Sequence, residues 1–311
     1  MSPNAPLARA AHWPGRALLL AAGIMLAACT PPDTVADEDL ESYYALTTGL
    51  IARAGGMRTE TAPADARVTA QDLVRNFQVI ALRSEYTREG DTFVEGGQPI
   101  PLARWTTPIR YEFIFGPSVS PDQRAQDEAS TRRYLARISR LTGVPMRPAA
   151  SSAEANFTLA FLNRAEQRAF AQVIRQQSET QNSAFLNGLE FSTPQEFCSG
   201  YIFGSSADVV DIRSAFVLIK HEQKGLAREA CIHEEIAQSM GLVNDSLEAR
   251  PSIFNDDYEF ALLTRHDEVL LAMLYDPALR PGMTATEVVP LLPGVATRAL
   301  RRTGSNALVT N

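Results

Sequence analysis

CIHEEIAQSMGLVND, residues 231–245, is the stretch on which the reading of this chain turns. At 3.6 residues per turn, Ile232, Ile236 and Met240 fall on one face of a helix, and Glu234 and Gln238 fall on the other, one turn apart. The pattern predicts an amphipathic helix from about Leu226 to Met240. Gly241 is placed to end it in the left-handed conformation that glycine adopts without strain.

Downstream, Thr264 stands where an N-cap belongs and His266-Asp267-Glu268 follows in the first turn, which predicts a solvated helix start and a helix over 265–275. Upstream, Ile109 to Phe115 alternates as a strand, and Asp122 to Leu141 reads as a long helix broken by Gly143. Further strands are expected at 156–162, at 198–203 and within 207–220, with a polar helix at 164–175 and a polar loop at 176–187. Thr69 and Asp72 form a helix-start signal. The expected fold is α+β: a small mixed sheet, a long backing helix, the motif helix and a helical C-terminal subdomain.

The N-terminus has its own logic. Arg9 and Arg16 precede an apolar run, 17–28, which is too short to span a bilayer and reads as a signal peptide over 1–28. The run ends in Leu26-Ala27-Ala28-Cys29, which resembles a bacterial lipobox. That resemblance implies cleavage before Cys29 and its acylation, and with Thr30 next it favours the outer membrane, facing the periplasm. A lipid-tethered linker with a short helix is expected over 29–67, the main domain over 68–283, and a C-terminal extension over 284–311 whose tail is partly disordered. Removing a lipidated Cys29 from three cysteines leaves Cys198 and Cys231, an even pair in an oxidising compartment. A disulfide is expected, the alternative being two buried thiols. A net charge of -7 without any Lys/Arg cluster removes the electrostatic case for nucleic-acid binding.

From Glu234 to Asp245 the spacing is similar to the metzincin motif HExxHxxGxxH/D. The resemblance implies a zincin-like domain over about 68–282. It puts Glu235 in the general-base position, Gly241 at the turn, and Glu234, Gln238 and Asn244 in the three metal-ligand positions. Arg250-Pro251-Ser252-Ile253-Phe254 then resembles a Met-turn with Phe254 in place of methionine, and 265–275 the closing helix. The block also resembles an uncharacterised family of bacterial lipoproteins. The ligand identities depart from the motif. Glu, Gln and Asn offer oxygen only, which suits a hard divalent cation better than zinc, so a standard catalytic zinc is not expected. The alternative register, starting at His233-Glu234, places Ala237 where a second histidine belongs.

His233 reads either as a partly buried histidine orienting Glu234 or a loop carbonyl, or as a general base or lone ligand. His266 and Asp245 are further cleft candidates. Asn255 to Glu259 is an acidic loop, read as a solvated turn or, with Asp245, a calcium site. A nucleophile elbow, a phosphate loop and a dinucleotide turn are all missing from the sequence. The expectation is therefore a cell-envelope pseudoenzyme that binds a peptide or an envelope protein and is held to the membrane by its lipid. The alternative is an active metal-dependent hydrolase, a peptidase or a wall-acting enzyme, with Glu235 as base.

Overall fold

The computed structural model describes residues 35–177, 183–204, 209–255 and 258–305. The expected signal peptide, Cys29 and the end of the C-terminal tail lie outside them. After one 3-10 turn, helix α1 (Leu40–Arg53) buries Leu40 and Tyr44. Helix α2 (Ala70–Ala81) opens on the expected reciprocal cap, with Thr69 Oγ1 accepting from Asp72 N and the Asp72 carboxylate accepting from Thr69 N. A hairpin, β1 (Tyr86–Glu89) and β2 (Thr92–Glu95), leads to β3 (Arg104–Trp105) and β4 (Ile109–Phe115).

Next come α3 (Pro121–Thr142), β5 (Met146–Pro148), β6 (Phe157–Leu162), α4 (Arg164–Gln177) and α5 (Ala184–Glu190). Strands β7 (Cys198–Gly204) and β8 (Asp211–Lys220) precede the motif helix α6 (Gly225–Gln238). Helices α7 (Arg265–Leu274), α8 (Ala285–Val288) and α9 (Leu292–Arg302) follow. Gly143 ends α3 at φ +76°, as its place in the sequence predicts.

The sheet is mixed. Its order is β3-β8-β6-β4-β5, these strands pairing in parallel, with β7 antiparallel on β8. Along β6 and β8, side chains alternate between two cores. Phe157, Leu159, Phe161, Val217 and Ile219 join the larger core, which also holds residues of α2, α3, α6, α7 and α9. Ala160, Leu162, Phe216 and Leu218 meet Ala171 of α4 and Leu186 and Leu189 of α5. Both faces are covered, so these strands read as unbroken apolar runs.

Three expectations need correction. Of the polar loop expected at 176–187, the described residues are mostly helical, because α4 runs on to Gln177 and Ser183 caps α5. Leu186 and Leu189 are the reason, since burying them against the sheet offsets a short helix's poor intrinsic stability. The start of α7 is not solvated, because His266 and Asp267 are fully buried and Glu268 is 4% exposed. Its cap is as expected, with Thr264 Oγ1 accepting from Asp267 N, but the Asp267 carboxylate also accepts from Ser252 Oγ and Ile253 N. Asp267 thus fastens the 250–254 turn to α7. Finally, residues 54–67 form no helix or strand but are bound to the body. Met57 N donates to Tyr258 O, Arg58 N to Glu259 O and Arg265 N to Thr61 O, at 2.7–2.8 Å. A turn-rich composition predicts irregular backbone and says nothing of what that backbone touches.

Candidate functional site

Helix α6 is anchored before it presents anything. Arg228 and Asp127 of α3 form a bidentate pair at 2.9 and 2.7 Å, each side chain 3% exposed. Just past the other end, the turn carbonyls find donors in Trp105 Nε1, at 2.9 Å from Ser239 O, and Tyr275 Oη, at 2.8 Å from Met240 O. Gly241 leaves the helix at φ +113°, and a Cβ there would stand 2.1 Å from Ala103 O, so only glycine fits.

Edge strand β7 lies along α6. Its loop is held by the buried Lys220, whose Nζ donates to Thr193 O at 2.6 Å and to Glu196 O. Burial pushes that ammonium down to about 8. Cys198 and Cys231 are disulfide-bonded, with Cα atoms 5.7 Å apart. Two residues of strand advance about 6.6 Å and four of helix about 6 Å, so the residue two beyond Cys198 meets the residue four beyond Cys231. These are Gly200 and Glu235, and a Cβ on Gly200 would stand 2.6 Å from Glu235 Oε2 and 3.3 Å from Ser239 Oγ. The glycine lets the carboxyl tuck beneath the strand. An isolated glycine inside a strand is the sequence signal for such an approach.

Glu235 is 6% exposed. Burial holds its carboxyl well above its ordinary value, and the charges of Glu85, Asp245 and Glu196 push the same way. The neighbouring Ser239 Oγ is buried without a hydrogen-bond partner. Glu85, Glu196, Gly200 and Ser239 are the site residues that the sequence reading missed.

The three ligand-position side chains are arranged as follows. Gln238 Nε2 donates to Asp245 Oδ1 at 3.2 Å. Asn244 is 8% exposed and turns its amide toward α2, Nδ2 donating to Val79 O and to Asp245 O, both at 3.0 Å. Carbonyl and carboxylate oxygens only accept, so both amides must present nitrogen here. Glu234 is half-buried on the same helix. Among the described residues no three His, Cys, Asp or Glu side chains are grouped to hold a metal ion. With no imidazole or thiolate and one member turned into α2, this set does not fit a catalytic zinc.

The two histidines are elsewhere. His233 faces away from Glu235, its ring stacked on Tyr134 of α3 at 3.9 Å, its Nδ1 accepting from Leu263 N at 3.0 Å. Burial and the Arg137 charge push it down to about 3, so it is neutral. His266 lies in the core between Asn76 Nδ2, at 3.0 Å, and Asp267 Oδ1, at 3.3 Å. Of the acidic loop, residues 256–257 lie outside the described residues, and Glu259 is paired with Arg58 and Arg250.

Glu235 yields a signed prediction. Its folded-state pKa lies above its ordinary 4.5, so the fold favours the neutral acid. That contribution is complete at low pH and is lost as pH rises through the folded-state value. Glu235→Gln should match the parent near pH 4 and exceed it at neutral pH by on the order of 1–3 kcal/mol. Urea unfolding across pH measures this, and a pH-independent difference would contradict the burial argument.

Residues 70–294 match a family described as "Protein of unknown function (DUF2927)". No curated protein and no solved structure matches the chain.

Proposed function

The chain belongs to that family of unknown function, and from this footing we propose that it is a lipid-anchored binding module of the cell envelope, built on a zincin-like domain whose metal site has been given over to structure. Support for the fold reading lies in the order of elements. Strand β4, helix α3 and strand β6 come in the strand–helix–strand order that the resemblance implies upstream, and the motif helix α6, the 250–254 turn and helix α7 come in the order it implies downstream. Support for the anchor lies in the Leu26-Ala27-Ala28-Cys29 quartet after a short apolar run. No helix among the described residues is long and apolar enough to cross a membrane.

The observation that carries the binding reading is the commitment of Asn244 and Gln238. Each donates its amide nitrogen to a protein oxygen, so two of the three ligand positions serve to tie the 244–245 turn to α2 and α6. The part of the cleft still open to a partner is β7, where Gly200 is exposed beside the buried Glu235. Among the described residues strand β7 pairs with β8 on one side only, so an extended peptide can add to its outer edge through main-chain hydrogen bonds.

A second reading has its own observation. A buried carboxyl with a raised pKa beneath an exposed strand glycine is a general-acid or general-base candidate, which favours a hydrolase acting through Glu235. One experiment separates the readings. The full chain, purified from membranes, is examined by mass spectrometry and, after zinc reloading, by elemental analysis. The binding module shows an acylated Cys29 N-terminus and no stoichiometric zinc. A bound zinc that Glu234→Ala or Gln238→Ala removes would establish the hydrolase reading instead.

A further inference from the structure

A cavity of about 240 Å³ opens between α3 and α6, lined by Ser130, Arg133, Tyr134, Arg137, Glu229, Ile232 and His233. It is separate from the Glu235 site, since His233 and Glu235 are two residues apart on a helix and face different ways. Its base is rigid. The His233 ring is stacked on Tyr134, and Tyr134 Oη donates to His233 O at 2.7 Å. The tautomer is fixed as well. Nδ1 accepts from Leu263 N, so in the neutral ring the proton sits on Nε2.

The charges around the cavity are unevenly used. Arg137 donates Nε to Glu268 at 2.8 Å and Nη2 to Leu263 O at 3.2 Å, which orients the guanidinium and, among the described residues, leaves Nη1 uncommitted. Arg133 and Glu229 line the same cavity, and neither forms an ion pair or hydrogen bond among the described residues. The cavity therefore offers a cationic side, made by two arginines one turn apart on α3, and one carboxylate across it on α6. Arg133 is exposed and Glu229 half-buried, so an anion would use only the arginine side of the cavity and a cation only Glu229. A ligand carrying both charges a few ångströms apart answers each.

We propose that this cavity binds a small zwitterion of the free α-amino-acid class, its carboxylate held by Arg133 and Arg137 with His233 Nε2–H as a neutral donor, and its ammonium held by Glu229. Arginine suits the carboxylate because its planar fork matches two oxygens. The volume limits the ligand to one residue or so, below the size of usual drug-like sites.

The test is calorimetric titration of the full chain with L-alanine, N-acetyl-L-alanine and L-alaninamide. L-Alanine should bind saturably. Capping either charge should weaken binding about tenfold or more, the loss of one charge-assisted contact. Arg133→Met and Glu229→Gln should do the same while keeping the parent's unfolding midpoint. In long-range proton–nitrogen spectra, L-alanine should shift His233 Nε2 and leave His266 unmoved. Absence of saturable binding overturns the proposal. Equal affinity for the capped forms, or wild-type affinity in both variants, overturns it too.

Discussion

Arg228→Ala is expected to lower folding stability by about 3–5 kcal/mol, the usual consequence of stranding one member of a buried ion pair. The partner left behind, Asp127, is 2% exposed and among the described residues keeps Gln123 Nε2, at 2.9 Å, as its one side-chain donor. Arg228 also lies over the Phe161 ring, 5.0 Å from its centroid, so its removal opens space in the core as well. Asp127→Ala should cost a similar amount. Arg228→Met combined with Asp127→Leu should restore most of the loss, because replacing both charges with apolar groups removes the desolvation penalty along with the attraction. Urea unfolding with an unchanged slope measures all three. Additive single-site costs would show that the two side chains act independently, against the geometry.

The second large effect concerns the disulfide. Cys198 and Cys231 are 33 residues apart in sequence, and closing a loop of that length stabilises the fold by about 3–4 kcal/mol on the chain-entropy estimate. Cys198→Ser with Cys231→Ser should lower stability by that amount. The bond also sets the register of β7 on α6, which places Gly200 over Glu235. The double variant should therefore loosen the Glu235 enclosure, and the pH-dependent advantage of Glu235→Gln should shrink in its background. Undiminished pH dependence would mean that packing alone holds the strand against the helix.

What the sequence made legible is mostly local. The caps at Thr69 and Thr264, the helix ends at Gly143 and Gly241 and the strand at 109–115 each declare themselves within a few residues, because their physics is that of neighbouring backbone groups. The cysteine pairing followed from counting. The parts that stayed hidden depend on distant partners. Asn244 is turned by Val79 O, 165 positions away, and Arg228 by Asp127, 101 positions away. Nothing near Glu235 in sequence announces that Gly200 will cover it. His266 and Asp267 resemble an ordinary acidic helix start until Asn76 and Ser252 close over them. Spacing thus located the motif helix and its turn, while the use of each side chain was decided by elements the motif does not contain.

The docking of the N-terminal segment has a consequence for reach. Val35 O accepts from Arg164, and Asp37 is gripped by Arg164 and Arg168, so the chain is already fastened to the body there. If Cys29 carries the lipid, six steps of chain from 29 to 35, spanning at most about 20–22 Å, separate it from the fastened body, against the forty or so residues of linker that the composition suggests. On that reading Val35, where the chain is fastened, stands within that distance of the bilayer surface.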